Sequence, residues 1–419
     1  MHYNRILTIR LFLIFIFICF SLKIFSYSEP KVTLGIDRLL NEASFQKLLK
    51  GKRVGLVTNH TAINSQFAST ISLLKANSLE CKLVALFAPE HGITGLAHAA
   101  KSVENSIDED GIPIYSLHGA TRRPTPHMLK GIDVIIFDIQ DIGVRAYTYI
   151  STLFYVMEES AKQNIKVIVT DRPNPMGGTT VDGLLLDPKW RSFIGYVNVT
   201  YCHGMTVGEL ASLFNQENQI NCDLTVVPMQ GWMRSMSFNE TGLAWIPTSP
   251  QIPEADTPYF AATTGFLGEF QIVNIGIGYT LPFKVVAAPW IDANRFAKEL
   301  NAQRFPGVHF LPIHYRPFFG SFATHDCHGI QIVITDKKLF LPVETQYLLM
   351  GILKSLYPEQ FKKAMEVNLS NKELFCKANG TEEVYQILNK EKYAVYTLRK
   401  MCQEARKTFL PIRKKYLLY

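Results

Sequence analysis

The run Val134-Ile-Ile-Phe137, followed directly by Asp138-Ile-Gln140-Asp141-Ile-Gly143-Val-Arg145, decides the architecture. Consecutive apolar, mostly β-branched residues predict a short strand buried on both faces, which marks a parallel sheet covered by helices on two sides. The polar cluster then falls at that strand's carboxyl end. The same arrangement recurs outward along the chain. Arg53–Thr58 predicts a strand ending in Asn59-His60-Thr61, and Leu83–Phe87 one ending in Pro89-Glu90-His91-Gly92. Pro113–Ser116 predicts a weaker third strand, and Ile165–Val169 one ending in Asp171-Arg172-Pro173-Asn174-Pro175. Leu224–Val227 predicts a further strand. Helical patterns fall between them, at 67–76, at Tyr149–Lys162, and from the capping box Thr206-Val-Gly-Glu209 to about Asn218. Strands alternating with helices predict an α/β fold with a mostly parallel sheet. In such a sheet the carboxyl ends of the strands meet at one crevice, where ligands bind.

The remainder reads as a different unit. Pro247, Pro250, Pro253 and Pro258 predict an extended connection, and 266–282 is punctuated by glycine. Helices are predicted at Asp292–Gln303 and Val343–Tyr357, strands at Val308–Leu311 and Gly329–Thr335, and a chiefly helical stretch from Pro358 to Phe409. The boundary is placed at 260, giving domains at 29–260 and 261–419.

The first 28 residues read as a secretory signal: Arg5 and Arg10, then the apolar Leu11–Phe20, then Ser26-Tyr27-Ser28 at the cleavage position. Cys19 lacks the small-residue context of a lipoprotein signal. Removing 1–28 takes away Arg5, Arg10 and Lys23 and lowers the formal charge from +7 to +4. Nucleic acid loses its compositional support as a partner, and no membrane association is expected after cleavage. The protein is expected to be exported, to the periplasm or beyond. The cysteines are scattered, with no Cys-x-x-Cys pair, so a zinc ribbon or redox motif is excluded. The sequence does not set an oligomeric state.

The chemistry of the crevice narrows by elimination. No Gly-x-Gly-x-x-Gly follows the first strand, so a nucleotide would lack its phosphate cradle and no cofactor is expected. No Gly-x-Ser-x-Gly elbow and no His-Glu-x-x-His occur. The spacing of Glu90, His91, His98 and His203 is not diagnostic of a metal, and none is expected. What remains is rich in carboxylates, amides, arginine and tyrosine, which suits sugars: carboxyls for acid–base work, amides for hydroxyls, aromatic faces for rings. Glu90 is the acid best placed to protonate a leaving oxygen, which requires a raised pKa. Asp141 is a further candidate catalytic acid, while Asp138 suits a loop-holding role. Asn59, His60, His91, Gln140, Arg145, Tyr147, Asp171, Arg172, Asn174 and His203 are the candidate substrate-binding residues.

Five strings carry a family resemblance. They are Ala88-Pro-Glu-His-Gly92, Phe137–Tyr149, Asp171–Gly178, His203–Ala211, and Pro282-Phe283 with Ala288-Pro-Trp290. Together they resemble the exo-β-N-acetylmuramidase (NamZ-type) family, formerly a domain of unknown function. The resemblance covers roughly residues 34–419. It implies a Rossmann-like catalytic domain, a smaller mixed α+β C-terminal auxiliary domain and an active cleft between them. It implies release of terminal β-1,4-linked N-acetylmuramic acid from the non-reducing ends of peptidoglycan fragments, such as muropeptides and disaccharides. It also implies Glu269 as the second catalytic carboxyl. Arg145 or Arg172 would then fork onto the lactyl carboxylate of muramic acid. The chain departs from the family's usual Gly-Arg-Gly-Thr at Gly276-Ile-Gly-Tyr279, with Ile277 in place of Arg. A non-catalytic peptidoglycan-binding protein and a cell-wall esterase or amidase are the alternative functions.

Overall fold

The computed structural model describes residues 31–76, 80–98 and 100–419. The expected signal segment and Cys19 lie outside these residues. Seven strands form one sheet: β1 (Arg53–Thr58), β2 (Lys82–Ala88), β3 (Ser106–Ile107), β4 (Pro113–Ser116), β5 (Val134–Asp138), β6 (Lys166–Thr170) and β7 (Leu224–Val227). Their spatial order is β3-β4-β2-β1-β5-β6-β7. Only the short β3 runs antiparallel, against β4. The chain builds outward from β1 through β2 to β4, then returns to the other side of β1 to add β5, β6 and β7. The switch point therefore lies between β1 and β5, where Thr58 pairs with Asp138.

Alternation along each strand explains why both faces are covered. Val57, Phe137, Val167 and Val169 face the helices Tyr149–Lys162 and Val207–Glu217 through Leu153, Val156 and Ala211. Leu56, Ile136 and Ile168 face the other way, onto Leu34, Ile36 and Leu39 around the helix Gly35–Asn41 and onto Leu74 of the helix Thr70–Lys75. That second helix starts three residues later than its apolar pattern predicts. Ser69 supplies the cap, accepting from Ser72 N at 3.1 Å.

The second unit is a three-stranded antiparallel sheet, order β8-β10-β9, built from β8 (Val285–Ala288), β9 (Val308–Tyr315) and β10 (Cys327–Ile334). The helices Thr257–Phe270, Ala293–Ala302, Pro342–Leu356, Lys372–Asn379 and Ala394–Lys414 accompany it. Two of these elements, the Thr257–Phe270 helix and β8, fall in stretches for which no regular structure is predicted. Pro258 occupies the helix's first turn, where its missing N–H costs nothing, and nearly every residue of the helix is buried. Burial on all sides removes the amphipathic signal, and Gly265 and Gly268 further blur it.

The two units share one core. Phe266, Phe296, Phe310, Ile330 and Tyr347 cluster with Ile142, Val144 and Tyr201 from the first unit. The Ala394–Lys414 helix spans both: Leu398 and Cys402 pack in the second unit, while Phe409 packs among Phe154, Leu210 and Phe214 of the first. The six described cysteines are free and buried. Among the described residues, no helix is long and apolar enough to cross a membrane.

Candidate active site

A cavity of about 750 Å³ opens where the carboxyl end of the parallel sheet meets the second unit. Glu90, His91, Tyr147 and Glu269, all anticipated from sequence, line it together. So do Thr148, His98, Tyr201, Ser249, Gln251 and Gln271. A volume of this order encloses most of a small organic ligand.

Glu90 owes its position to the turn after β2. Gly92 N–H closes that turn onto Pro89 O at 3.0 Å. His91 takes φ +71, the left-handed region that the third residue of a type II turn requires and that a non-glycine residue adopts at a cost of about 1–2 kcal/mol. Its ring Nδ1 lies 2.7 Å from Ala97 O, which fixes the ring over the next loop. The turn delivers the Glu90 carboxylate to two donors. Ala100 N–H donates to Oε1 at 2.8 Å and the Thr148 hydroxyl to Oε2 at 2.7 Å. His118 Nε2 stands 3.6 Å from Oε1. Burial works to raise the Glu90 pKa, but the two hydrogen bonds, with His118 and His91 beside them, outweigh it and hold the carboxyl below its ordinary value. Glu90 is therefore an anion here, against the raised pKa that its expected role as proton donor requires.

Glu269 comes from the opposite wall, at the penultimate position of the Thr257–Phe270 helix, which Gln271 ends in a left-handed conformation at φ +57. The residue is exposed and lines the cavity. Desolvation raises its pKa, and the negative charge of Glu90 adds to the rise. The cavity thus holds two carboxyls driven in opposite directions, the pattern by which one site supplies an acid and a base together.

Tyr147 projects from the loop after β5. Its hydroxyl donates to Thr248 Oγ1 at 2.9 Å, and its ring meets Tyr149 edge-on at 4.8 Å. Tyr149 belongs to the core, and its hydroxyl donates to Thr248 O at 2.7 Å. Asn59 stands behind this pair, donating to the Tyr149 hydroxyl at 3.0 Å and accepting from Thr61. His60 Nε2 lies 2.7 Å from Pro247 O, tying the β1 loop to the proline-rich connection. Neither residue lines the cavity.

The remaining candidates serve the scaffold. Arg145 is fully buried. Its guanidinium donates to the carbonyls of Leu184, Val199, Ala378 and Asn379 at 2.6–3.2 Å, and burial lowers its pKa to about 10. Arg172 is forked onto Asp138 at 2.6 and 3.0 Å and also donates to Ile63 O. The expectation that one of these arginines meets a lactyl carboxylate is corrected by these commitments. Asp171 accepts from Thr206 Oγ1, Gly208 N–H and the Tyr419 hydroxyl at 2.6–2.8 Å, so it caps the Val207–Glu217 helix. Asn174 bridges Met205 O and Met176 N–H. Gln140 donates to Asp141 O and Pro173 O, and borders, with Arg172, a separate crevice of only about 20 Å³. His203 is buried, accepts from Met205 N–H at 3.2 Å and is held neutral by burial, its pKa falling to about 3. It stands outside the cavity, so the four residues weighed for a metal do not assemble. Among the described residues, no three His, Cys, Asp or Glu side chains are placed to hold one.

Asp141 lies just behind the cavity wall. Oδ2 accepts from Gly143 N–H at 2.7 Å, and Oδ1 has no hydrogen-bond partner among the described residues. Burial pushes its pKa up to about 7. The turn around it needs glycine at 143, where φ is +85 and a Cβ would sit 2.3 Å from Asn174 Oδ1.

Two family models cover most of the chain. The N-terminal model of exo-beta-N-acetylmuramidase NamZ matches residues 54–256, and the C-terminal model of the same enzyme matches 260–419. The chain is 40% identical over 396 residues to the peptidoglycan beta-N-acetylmuramidase NamZ of Bacillus subtilis, covering 93% of this chain and 92% of that one. It is similar to the crystal structures of two DUF1343 family proteins from Bacteroides fragilis. One has a TM-score of 0.87 at 38% identity and the other 0.71 at 27%, and each match covers 93% of this chain and 99% of the other. The chain belongs to the exo-beta-N-acetylmuramidase NamZ family.

Proposed function

We propose that this protein is an exo-acting glycoside hydrolase that releases β-1,4-linked N-acetylmuramic acid from the non-reducing ends of peptidoglycan fragments. The observation that carries the mechanism is the pair of oppositely shifted carboxyls, Glu90 and Glu269, facing one cavity. A glycosidic oxygen leaves readily only if it is protonated as its bond breaks. Glu269, whose pKa is raised, is the better suited of the two carboxyls to supply the proton that this step consumes. Glu90, anionic and fixed by Ala100 and Thr148, faces the developing positive charge at the sugar's anomeric carbon, as base or nucleophile. These roles reverse the assignment of Glu90 as proton donor. Tyr147 and Tyr201 give the cavity aromatic surface for a sugar ring.

The test is product analysis on a defined muramyl-glucosamine disaccharide and on a nitrophenyl muramoside. Glu90→Gln is expected to lower turnover by about 10²–10⁴-fold on both. Glu269→Gln should lose a similar factor on the disaccharide and far less on the nitrophenyl substrate, whose leaving group needs no proton. A Glu90→Gln variant that folds and keeps wild-type turnover would remove Glu90 from the mechanism, whereas a wild type that binds both compounds without cleaving them would mark a non-catalytic binding protein.

Export follows the same logic, since the polymer lies outside the cytoplasm. Residues 1–28 carry the basic, apolar and Ser-x-Ser order of a cleaved signal. A mature N-terminus at Glu29 by mass spectrometry is the expected result, and an intact Met1 counts against it.

A further inference from the structure

The loop joining β9 to β10 forms part of the cavity wall through Gly320 and Ser321. The two residues before them, Phe318 and Phe319, are 74% and 53% exposed. This loop is pinned in place. Phe318 N–H donates to Gly278 O at 2.7 Å, and Asn274 Nδ2 donates to Ser321 O at 2.8 Å. The loop approaches Gly278 so closely that a Cβ there, at φ +85, would stand 2.0 Å from Phe319 O. The Phe318 ring lies 6.3 Å from Tyr279, which stacks on Tyr315 at 4.5 Å. The Tyr315 hydroxyl donates to Asn274 Oδ1 at 2.6 Å, and Asn274 is itself a cavity residue. Phe318 is thus the outermost ring of a three-ring series rooted in the cavity wall. Two large apolar side chains held toward water beside a binding site mark a contact surface.

We propose that Phe318 and Phe319 form an aromatic platform for the sugar that stays outside the cavity, the N-acetylglucosamine on the leaving side of the bond to be cut. The proposal rests on the exo-muramidase reading, in which the terminal muramic residue fills the cavity and the rest of the glycan crosses its rim. A pyranose shows an apolar C–H face that packs on an aromatic ring while its hydroxyls remain in water. The continuity of the loop with the cavity, through Gly320 and Ser321, puts the platform on the wall that the emerging glycan passes.

The experiment compares wild type, Phe318→Ala, Phe319→Ala and the double variant on two substrates. One is the muramyl-glucosamine disaccharide; the other is β-muramosyl fluoride, which carries no sugar beyond the cleaved bond. KM for the disaccharide is expected to rise about tenfold in the double variant, the effect of losing one good aromatic contact. The fluoride should be hydrolysed as by wild type, and Phe318→Trp should keep the disaccharide KM low. Unchanged KM, or equal losses on both substrates, overturns the platform. So does a dimer, seen by light scattering, that the double variant dissociates, since the rings would then serve a second copy of the chain. Wild type inactive on both substrates removes the muramidase reading itself and the platform with it.

Discussion

At the scale of single residues, polarity in the sequence did not separate ligand-facing groups from scaffold groups. Glu90, His91, Tyr147 and Glu269 reach the cavity, whereas Arg172, Asp171, Asn174 and Gln140 spend the same kinds of bonds on the backbone and on each other. An Asp that caps a helix and an Asp that meets a substrate look alike in one dimension. The distinction needs the direction of the side chain. Thr148, which fixes Glu90, lies between two tyrosines that draw attention first. Two pH predictions follow at this scale. Activity should be bell-shaped, with the acid limb set by Glu90 below the ordinary carboxyl value and the alkaline limb set by Glu269 above it. A profile of kcat/KM for the disaccharide checks this, and Glu269→Gln should flatten the alkaline limb on the nitrophenyl substrate. Asp141 governs stability instead. Its folded pKa of about 7 lies above the ordinary 3.8, so the folded state holds the proton more tightly. The resulting advantage is full below about pH 4 and is lost as pH rises to about 7. Asp141→Asn should remove that slope, worth up to about 4 kcal/mol, in melts recorded across this range.

Among elements, the alternation of strand and helix was legible through residue 227, because strands buried on both faces read as unbroken apolar runs. The Thr257–Phe270 helix was not legible, although it carries Glu269, because a helix buried all round has no polar face to betray its period. The start of the Pro342–Leu356 helix was equally hidden in its dependence on a distant residue. Asp182, fully buried, accepts from Val343 N–H and Glu344 N–H at 2.8 and 3.1 Å and pairs with Arg406 at 3.2 Å. One carboxylate from the first unit therefore caps a helix of the second. Asp182→Ala leaves those donors and the Arg406 charge without it, and should lower the unfolding free energy by about 2–4 kcal/mol. Urea denaturation monitored by circular dichroism measures the loss, and Asp182→Asn should recover part of it.

For the whole molecule, Arg145 shows how the halves are joined. Two of its carbonyl partners belong to the first unit and two to the second. Replacing it leaves all four without their donor. Arg145→Met is expected to cost on the order of 3–5 kcal/mol and to lower turnover on muramoside and glucosaminide alike. A loss confined to muramosides, with unchanged stability, would restore Arg145 as a reader of the lactyl group. The sequence marked a change of character near residue 260. It did not show that the core runs through that point, because contacts between distant segments leave no local pattern.

The Ala394–Lys414 helix gives this continuity a clock. Phe409 completes the packing around Phe154 and Phe214, yet about 150 residues separate residue 260 from it. At synthesis rates of about 5–20 residues per second, the first unit waits roughly 8–30 s for its last apolar partner. During that interval the face later covered by Phe409 is bare and available to chaperones, to a translocation channel or to another unfinished chain.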